Sequence, residues 1–367
     1  MSARITTFES LLRDINLKDE IYVRRVPLLK IGTVIHSQSA NQAVKLGILA
    51  EKLNFDSVWI TDHLIDGPSV DPWTTLSAIS VGTSRIFLCS HVTDTQRCHP
   101  AKTAQIVATL DRISNGRVGL GIGAGEALNI VPFGLMWEKP IERRKRLAEA
   151  IQVIKLLWKS NRQNPACFRG IYYNLQNAWL DQQVPKPPPI YVGSFGARKT
   201  LEIIGHYGDG WDSFLNTPET FRNRVETIRA AARHVGRNPD DIDPVATILT
   251  IMTEDQKDLE RAINQTKRIL LVEGSMLRIL GLKLPEGFRT YQNLLMDDKD
   301  LQALGQAVGT VSDELALRFV AHGTNEILEK IEEFRSVGAK HVTIRFIDET
   351  EQSLRRFSEK VLRNFDV

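Results

Sequence analysis

Eight short β-branched runs, separated by segments with helical spacing, recur along a chain of 367 residues. They are Lys30 to His36, Ser57 to Thr61, Ile86 to Val92, Arg117 to Ile122, Ile190 to Val192, Gly210 to Phe214, Val245 to Met252 and His341 to Phe346. Parallel strands need long crossovers, and a strand–helix alternation provides them. Eight such units predict an α/β fold of the closed (β/α)8 TIM-barrel type, with an open doubly wound sheet as the alternative.

The clearest helix is Arg143 to Trp158, where Leu147, Ile151, Ile154 and Trp158 share one face. Asn41 to Leu53, Ala101 to Ile113, Ala197 to His206 and Pro218 to Val235 also read as helices. Phe168 to Leu180 is aromatic and β-rich, which predicts a surface hairpin. Pro185, Pro187, Pro188 and Pro189 force an extended approach to the strand at Ile190. Residues 259–322 are helical in character and predict an insertion between the seventh and eighth strands. Residues 1–28 read as an N-terminal extension and 29–367 as one barrel domain.

A net charge of +3 does not favour nucleic-acid binding, and no apolar run of about 18 residues suits a membrane span. Met1 to Asp19 lacks the basic-then-apolar layout of a secretory signal, so a cytoplasmic location is expected. Cys89, Cys98 and Cys167 form no Cys-x-x-Cys pair and predict neither a disulfide framework nor a metal site.

In such barrels chemistry gathers where strands run into their following loops. The second strand ends Thr61-Asp62-His63, and the third ends Ser90-His91-Val92-Thr93-Asp94-Thr95. The fourth runs into alternating glycines at 119, 121, 123 and 125, closed by Glu126 and Asn129. Alternating glycine strips one face of an extended segment, so a flat ligand fits against bare backbone. The spacing is Gly-x-Gly-x-Gly and no acid ends a second strand downstream, so a Rossmann nicotinamide site is disfavoured. The fifth strand ends Gly193-Ser194-Phe195-Gly196-Ala197-Arg198. Small residues at a helix start form an anion site, with Arg198 as an added charge. The plainer readings are a cap for Asp62, a structural histidine for His63 and a tight turn at Gly193 to Gly196.

Together these residues resemble the bacterial luciferase-like superfamily, in the branch that uses the deazaflavin coenzyme F420. The resemblance rests on Ser57 to His63, Ser90 to Thr95 with His99-Pro100, Ala108 to Arg117, the glycine run, Trp137 to Pro140, Pro189 to Gly193 and Gly208 to Trp211. It implies a barrel whose strand ends hold the deazaflavin, usually in a homodimer or higher homo-oligomer, and a small-molecule substrate. A non-prolyl cis peptide backing the ring is implied at Ser90–His91. Asp62, Thr93, Thr95 and Asn129 match ring or ribityl contacts. Gly123 and Gly125 match the bare wall, and Gly193 to Ala197, with Arg198, the phosphate loop. His63 matches a base on the substrate hydroxyl, and Glu126 a proton donor to the ring.

The function implied is hydride transfer between F420 and a carbonyl, alcohol or methylene-pterin type substrate. The alternatives are an FMN-dependent monooxygenase of the same fold and a non-catalytic coenzyme-binding protein. Phe214-Leu215-Asn216-Thr217 lacks the lysine that relatives place there for a sugar phosphate. The implied placement predicts that a Gly123→Val side chain projects into the ring's space.

Overall fold

A computed structural model describes residues 29–37, 39–65, 70–253, 255–279, 281 and 283–365. The expected N-terminal extension lies outside them. The strands are β1 (Lys30–Ile35), β2 (Ser57–Ile60), β3 (Phe87–Ser90), β4 (Val118–Gly123), β5 (Ile190–Ser194), β6 (Gly210–Ser213), β7 (Asp243–Ile251) and β8 (His341–Phe346). Each pairs in parallel with the next. The ring closes where β1 meets β8, with Lys30 opposite His341 and Val34 opposite Arg345. The result is the expected TIM-type barrel of eight parallel strands.

The strands are almost wholly buried because each is covered on both faces. Outside them pack α1 (Ala40–Lys52), α2 (Pro72–Val81), α3 (Pro100–Ile113), α4 (Pro140–Lys159), α5 (Arg198–Tyr207), α6 (Pro218–His234), α7 (Gly323–Ser336) and α8 (Glu351–Lys360). Proline opens α2, α3, α4 and α6, where its missing N–H costs nothing. The α2 and α8 helices did not stand out in the sequence. The buried face of α2 carries Thr75 and Ser80 beside Leu76 and Ile79, which blurs its apolar period.

Residues 166–178 form the expected antiparallel hairpin. Between β7 and α7 lie helices Gln256–Glu273, Ser275–Ile279, Asp298–Ala307 and Asp313–Leu317, followed by a short strand, Val320–His322, on β7. Leu277 is buried there, and Phe288 and Tyr291 pack on the same cluster, so these apolar residues serve largely as the insertion's own core.

The Ser114 to Arg117 turn is structural. The Arg117 guanidinium donates to Ile86 O at 2.8 Å and to Ser80 O at 3.0 Å, joining the starts of β3 and β4. Among the described residues no helix is long and apolar enough to cross a membrane.

The barrel interior is filled by Val34, Trp59, Cys89, Tyr191 and Val245. Beside them the Trp59 indole donates to Ser57 Oγ at 2.8 Å, and Ser57 Oγ lies 2.7 Å from His341 Nε2. Gly32 is obligatory here, since a Cβ would stand 1.9 Å from Ser57 Oγ. Burial lowers the His341 pKa from 6.5 to about 4. A histidine depressed in the folded state binds fewer protons there than when unfolded, so stability rises with pH between these values. Acidification from pH 6.5 to 4 is expected to lower the melting temperature, with His341 contributing on the order of 1–3 kcal/mol. A thermal melt series should show a flatter pH dependence for His341→Gln; equal slopes would disprove the assignment.

Candidate functional site

The C-terminal ends of the strands open into a cavity of about 880 Å³. The insertion roofs it with residues such as Ile269, Val272 and Tyr291. Of the residues singled out from the sequence, Asp62, His63, His91, Thr93, Gly123, Gly125, Glu126, Asn129 and Gly193 to Ala197 line it. Ser90, Thr95 and Arg198 do not.

The wall between β3 and β5 is set by an irregular strand end. Ser90 stays in the ladder opposite Ile60, and its hydroxyl donates to Gly121 O at 2.9 Å. His91 N still donates to Ile60 O at 2.7 Å. The chain then leaves the ladder and rejoins it with Thr93 opposite Ile122. The non-prolyl cis peptide accordingly falls at His91–Val92, one bond beyond the Ser90–His91 position that the resemblance implied.

The alternating glycines answer to this bulge. A Cβ at Gly121 would lie 1.8 Å from Ser90 O, and one at Gly119 would lie 2.5 Å from the Phe87 ring. Cβ atoms at Gly123 and Gly193 would lie 3.0 and 2.6 Å from Val92. The exposed wall is therefore the Val92 side chain, seated on glycines. A side chain at 123 would crowd Val92, itself part of the cavity wall.

In the same cavity, His63 Nε2 stands 3.4 Å from Glu126 Oε2. Asn129 holds their loops together. Its Oδ1 accepts from Leu64 N at 2.7 Å and Ile65 N at 3.1 Å, and its Nδ2 donates to Glu126 Oε2 at 3.4 Å. Asp62 Oδ1 pairs with Arg97 at 3.0 Å, and the same guanidinium binds Asp94. Burial raises the Asp62 pKa, while Arg97 opposes the shift. Arg97 is not legible from the sequence, because only the fold brings the end of β2 beside the loop after β3. His91 Nδ1 lies 2.7 Å from Asp212 Oδ2 on β6, which fixes the ring's orientation.

The Gly193 to Ala197 loop lines the cavity and precedes α5, at the positive end of the helix dipole. Gly196 has φ 96°, and a Cβ there would stand 2.0 Å from Arg224 Nε. Arg224, bonded to Asn216, is the cation against this loop. Arg198 instead projects outward, 85% exposed, and pairs with Glu202. Thr95 turns into the protein: Tyr173 donates to its carbonyl at 3.4 Å, and its hydroxyl has no hydrogen-bond partner among the described residues. His36 after β1, and Arg345 and Glu349 at the end of β8, also line the cavity; both strand ends read in the sequence only as β-branched and polar.

The model of the luciferase-like monooxygenase family matches residues 28–341. An F420-dependent glucose-6-phosphate dehydrogenase of Microbacterium testaceum is 31% identical over 336 residues, covering 88% of this chain and 92% of the relative. A phthiodiolone/phenolphthiodiolone dimycocerosates ketoreductase of Mycobacterium kansasii is 31% identical over 322 residues, with coverages of 79% and 86%. The structure of an F420-dependent secondary alcohol dehydrogenase with an F420–acetone adduct superposes at a TM-score of 0.78 and 25% identity, covering 92% of this chain and all of the other. The coenzyme F420 dependent tetrahydromethanopterin reductase of Methanopyrus kandleri shares the fold, at a TM-score of 0.75, 24% identity and the same coverages. With the barrel, its strand-end bulge and a family match over most of its length, this chain belongs to the luciferase-like monooxygenase family.

Proposed function

We propose that the protein is a coenzyme F420-dependent oxidoreductase acting on the carbonyl or alcohol carbon of a small molecule. The observation that carries this reading is the His63–Glu126 pair at 3.4 Å, lining the same cavity as Val92. The relatives named for F420 support it. The cavity residues fit such a coenzyme: the Gly193 to Ala197 loop with Arg224 suits a phosphate, and Val92 gives a flat apolar backing. When bound, the deazaflavin would accept or give a hydride. An FMN phosphate fits the same loop, so the identity of the coenzyme rests on direct binding.

Alcohol oxidation removes a hydride from carbon and a proton from oxygen. His63 takes the hydroxyl proton, and in the reverse direction returns it to a carbonyl oxygen. Glu126 holds the proton that balances the charge of hydride addition. Asn129 positions that carboxyl, and Arg97 fixes Asp62 at the cavity edge. Within the family reading, an acid at Glu126 favours alcohol or carbonyl chemistry over a methylene-pterin. The exposed apolar stretch with Phe133, Leu135, Met136 and Ile141 supports a homo-oligomer, which light scattering will test.

Purified protein should quench F420 fluorescence at micromolar coenzyme. Retained FMN with no F420 binding would overturn the reading in favour of a monooxygenase. Glu126→Gln should keep coenzyme affinity while turnover falls about 100- to 10,000-fold. Unchanged turnover would remove Glu126 from the chemistry. Arg224→Gln should weaken F420 binding about 10- to 100-fold, as expected for losing a charged hydrogen bond. A phosphate-free deazaflavin should bind that variant and the parent alike; an equal loss for both ligands would mean that Arg224 serves only the fold.

A further inference from the structure

At the β8–β1 seam of the cavity, a second polar group stands apart from the His63–Glu126 pair. The Arg345 guanidinium lies 5.2 Å above the Phe214 ring and lines the cavity. It makes no hydrogen bond or ion pair among the described residues, although it is half-buried. Glu349 lines the same corner, and its Oε2 accepts from His36 N at 2.6 Å. The His36 ring, in turn, lies 2.9 Å from Thr61 Oγ1, one residue before Asp62.

We propose that Arg345, flanked by Glu349 and His36, is a subsite for a substrate carboxylate, and that the substrate is a hydroxy or oxo acid. The subsite deepens the oxidoreductase reading and rests on it only for the reaction, not for the binding.

Glu349 acts on this cation only through space, and among the described residues no carboxylate hydrogen-bonds the guanidinium, which leaves its fork open to the cavity. A guanidinium satisfies a carboxylate through two parallel hydrogen bonds. The neighbours are tuned to admit that charge. Burial lifts the Glu349 pKa to about 7 and lowers that of His36 to about 3. His36 is thus neutral at physiological pH and brings no competing charge. Glu349 can take up a proton when an anion arrives, changing from a repelling carboxylate into a hydrogen-bond donor.

The other charged or titratable groups that bear on this corner are His63 from β2, His91 from the β3 bulge and Asp348 in Glu349's own loop. Asp348 is engaged by Ser353, and beyond it lie Asp258 and Arg261 of the insertion helix. None of them pairs with Arg345 among the described residues.

The test uses butanoate as probe and butanamide as its neutral control, followed by calorimetry in buffers of differing ionisation enthalpy. The full-length protein should bind butanoate at least tenfold more tightly than butanamide, with proton uptake at pH 8. Arg345→Met should erase the preference and Arg345→Lys should retain part of it. Glu349→Gln, which mimics the protonated acid, should keep butanoate binding but lose the proton uptake. Equal binding of the two probes by the parent protein overturns the proposal, as does proton uptake that persists in Glu349→Gln. F420 quenching is measured on the same samples. Loss of the butanoate preference with intact F420 binding sinks the subsite alone. Butanoate preference without F420 binding sinks the coenzyme reading and leaves the subsite standing.

Discussion

Val92 rests on bare backbone, and the shape of the cavity follows from that contact. The end of β3 can bulge inward only because β4 and β5 present glycine at 121, 123 and 193. At Gly121 there is no slack at all, since the Ser90 carbonyl occupies the volume of a side chain. The close approach puts an apolar surface at the centre of the strand ends and His91 and Thr93 on either side of it. The glycine run therefore acts at one remove: it admits the bulge, and the bulge makes the wall.

Around this wall the charges are held by partners from other strand ends as well as from their own loops. Arg97 binds Asp62 and Asp94, Asn129 joins the loops after β2 and β4, and Asp212 orients His91. Half-buried polar groups then retain one orientation without depending on a flexible segment. The His63–Glu126 pair reaches across β3, which lies between the strands that its two members follow.

Much of the barrel was legible in the sequence because its strands are covered on both faces and so appear as apolar β-branched runs; β8 was read at its observed limits. Helix α2 was hidden by the threonine and serine on its buried side. The strand-end rule brought out most of the cavity lining, including His63, Glu126 and the phosphate-type loop. It failed at Arg198, whose neighbour in sequence is the loop but whose side chain points to solvent. Ser90 and Thr95, which the resemblance implies as coenzyme contacts, do not line the cavity: Ser90 bonds Gly121 O and the Thr95 carbonyl accepts from Tyr173.

The alternation of strands and helices, the glycines that permit a close approach, and the acid and histidine at two strand ends are legible in the chain itself. These are local properties, written in period and residue type. Which cations meet the cavity depends on tertiary contacts, since Arg224 and Arg345 reach it from distant segments and Arg97 holds Asp62 at its edge. The tertiary structure also decided that the ring closes, through β1 against β8. Such pairings depend on geometry summed around the whole barrel, and no window of the chain contains it.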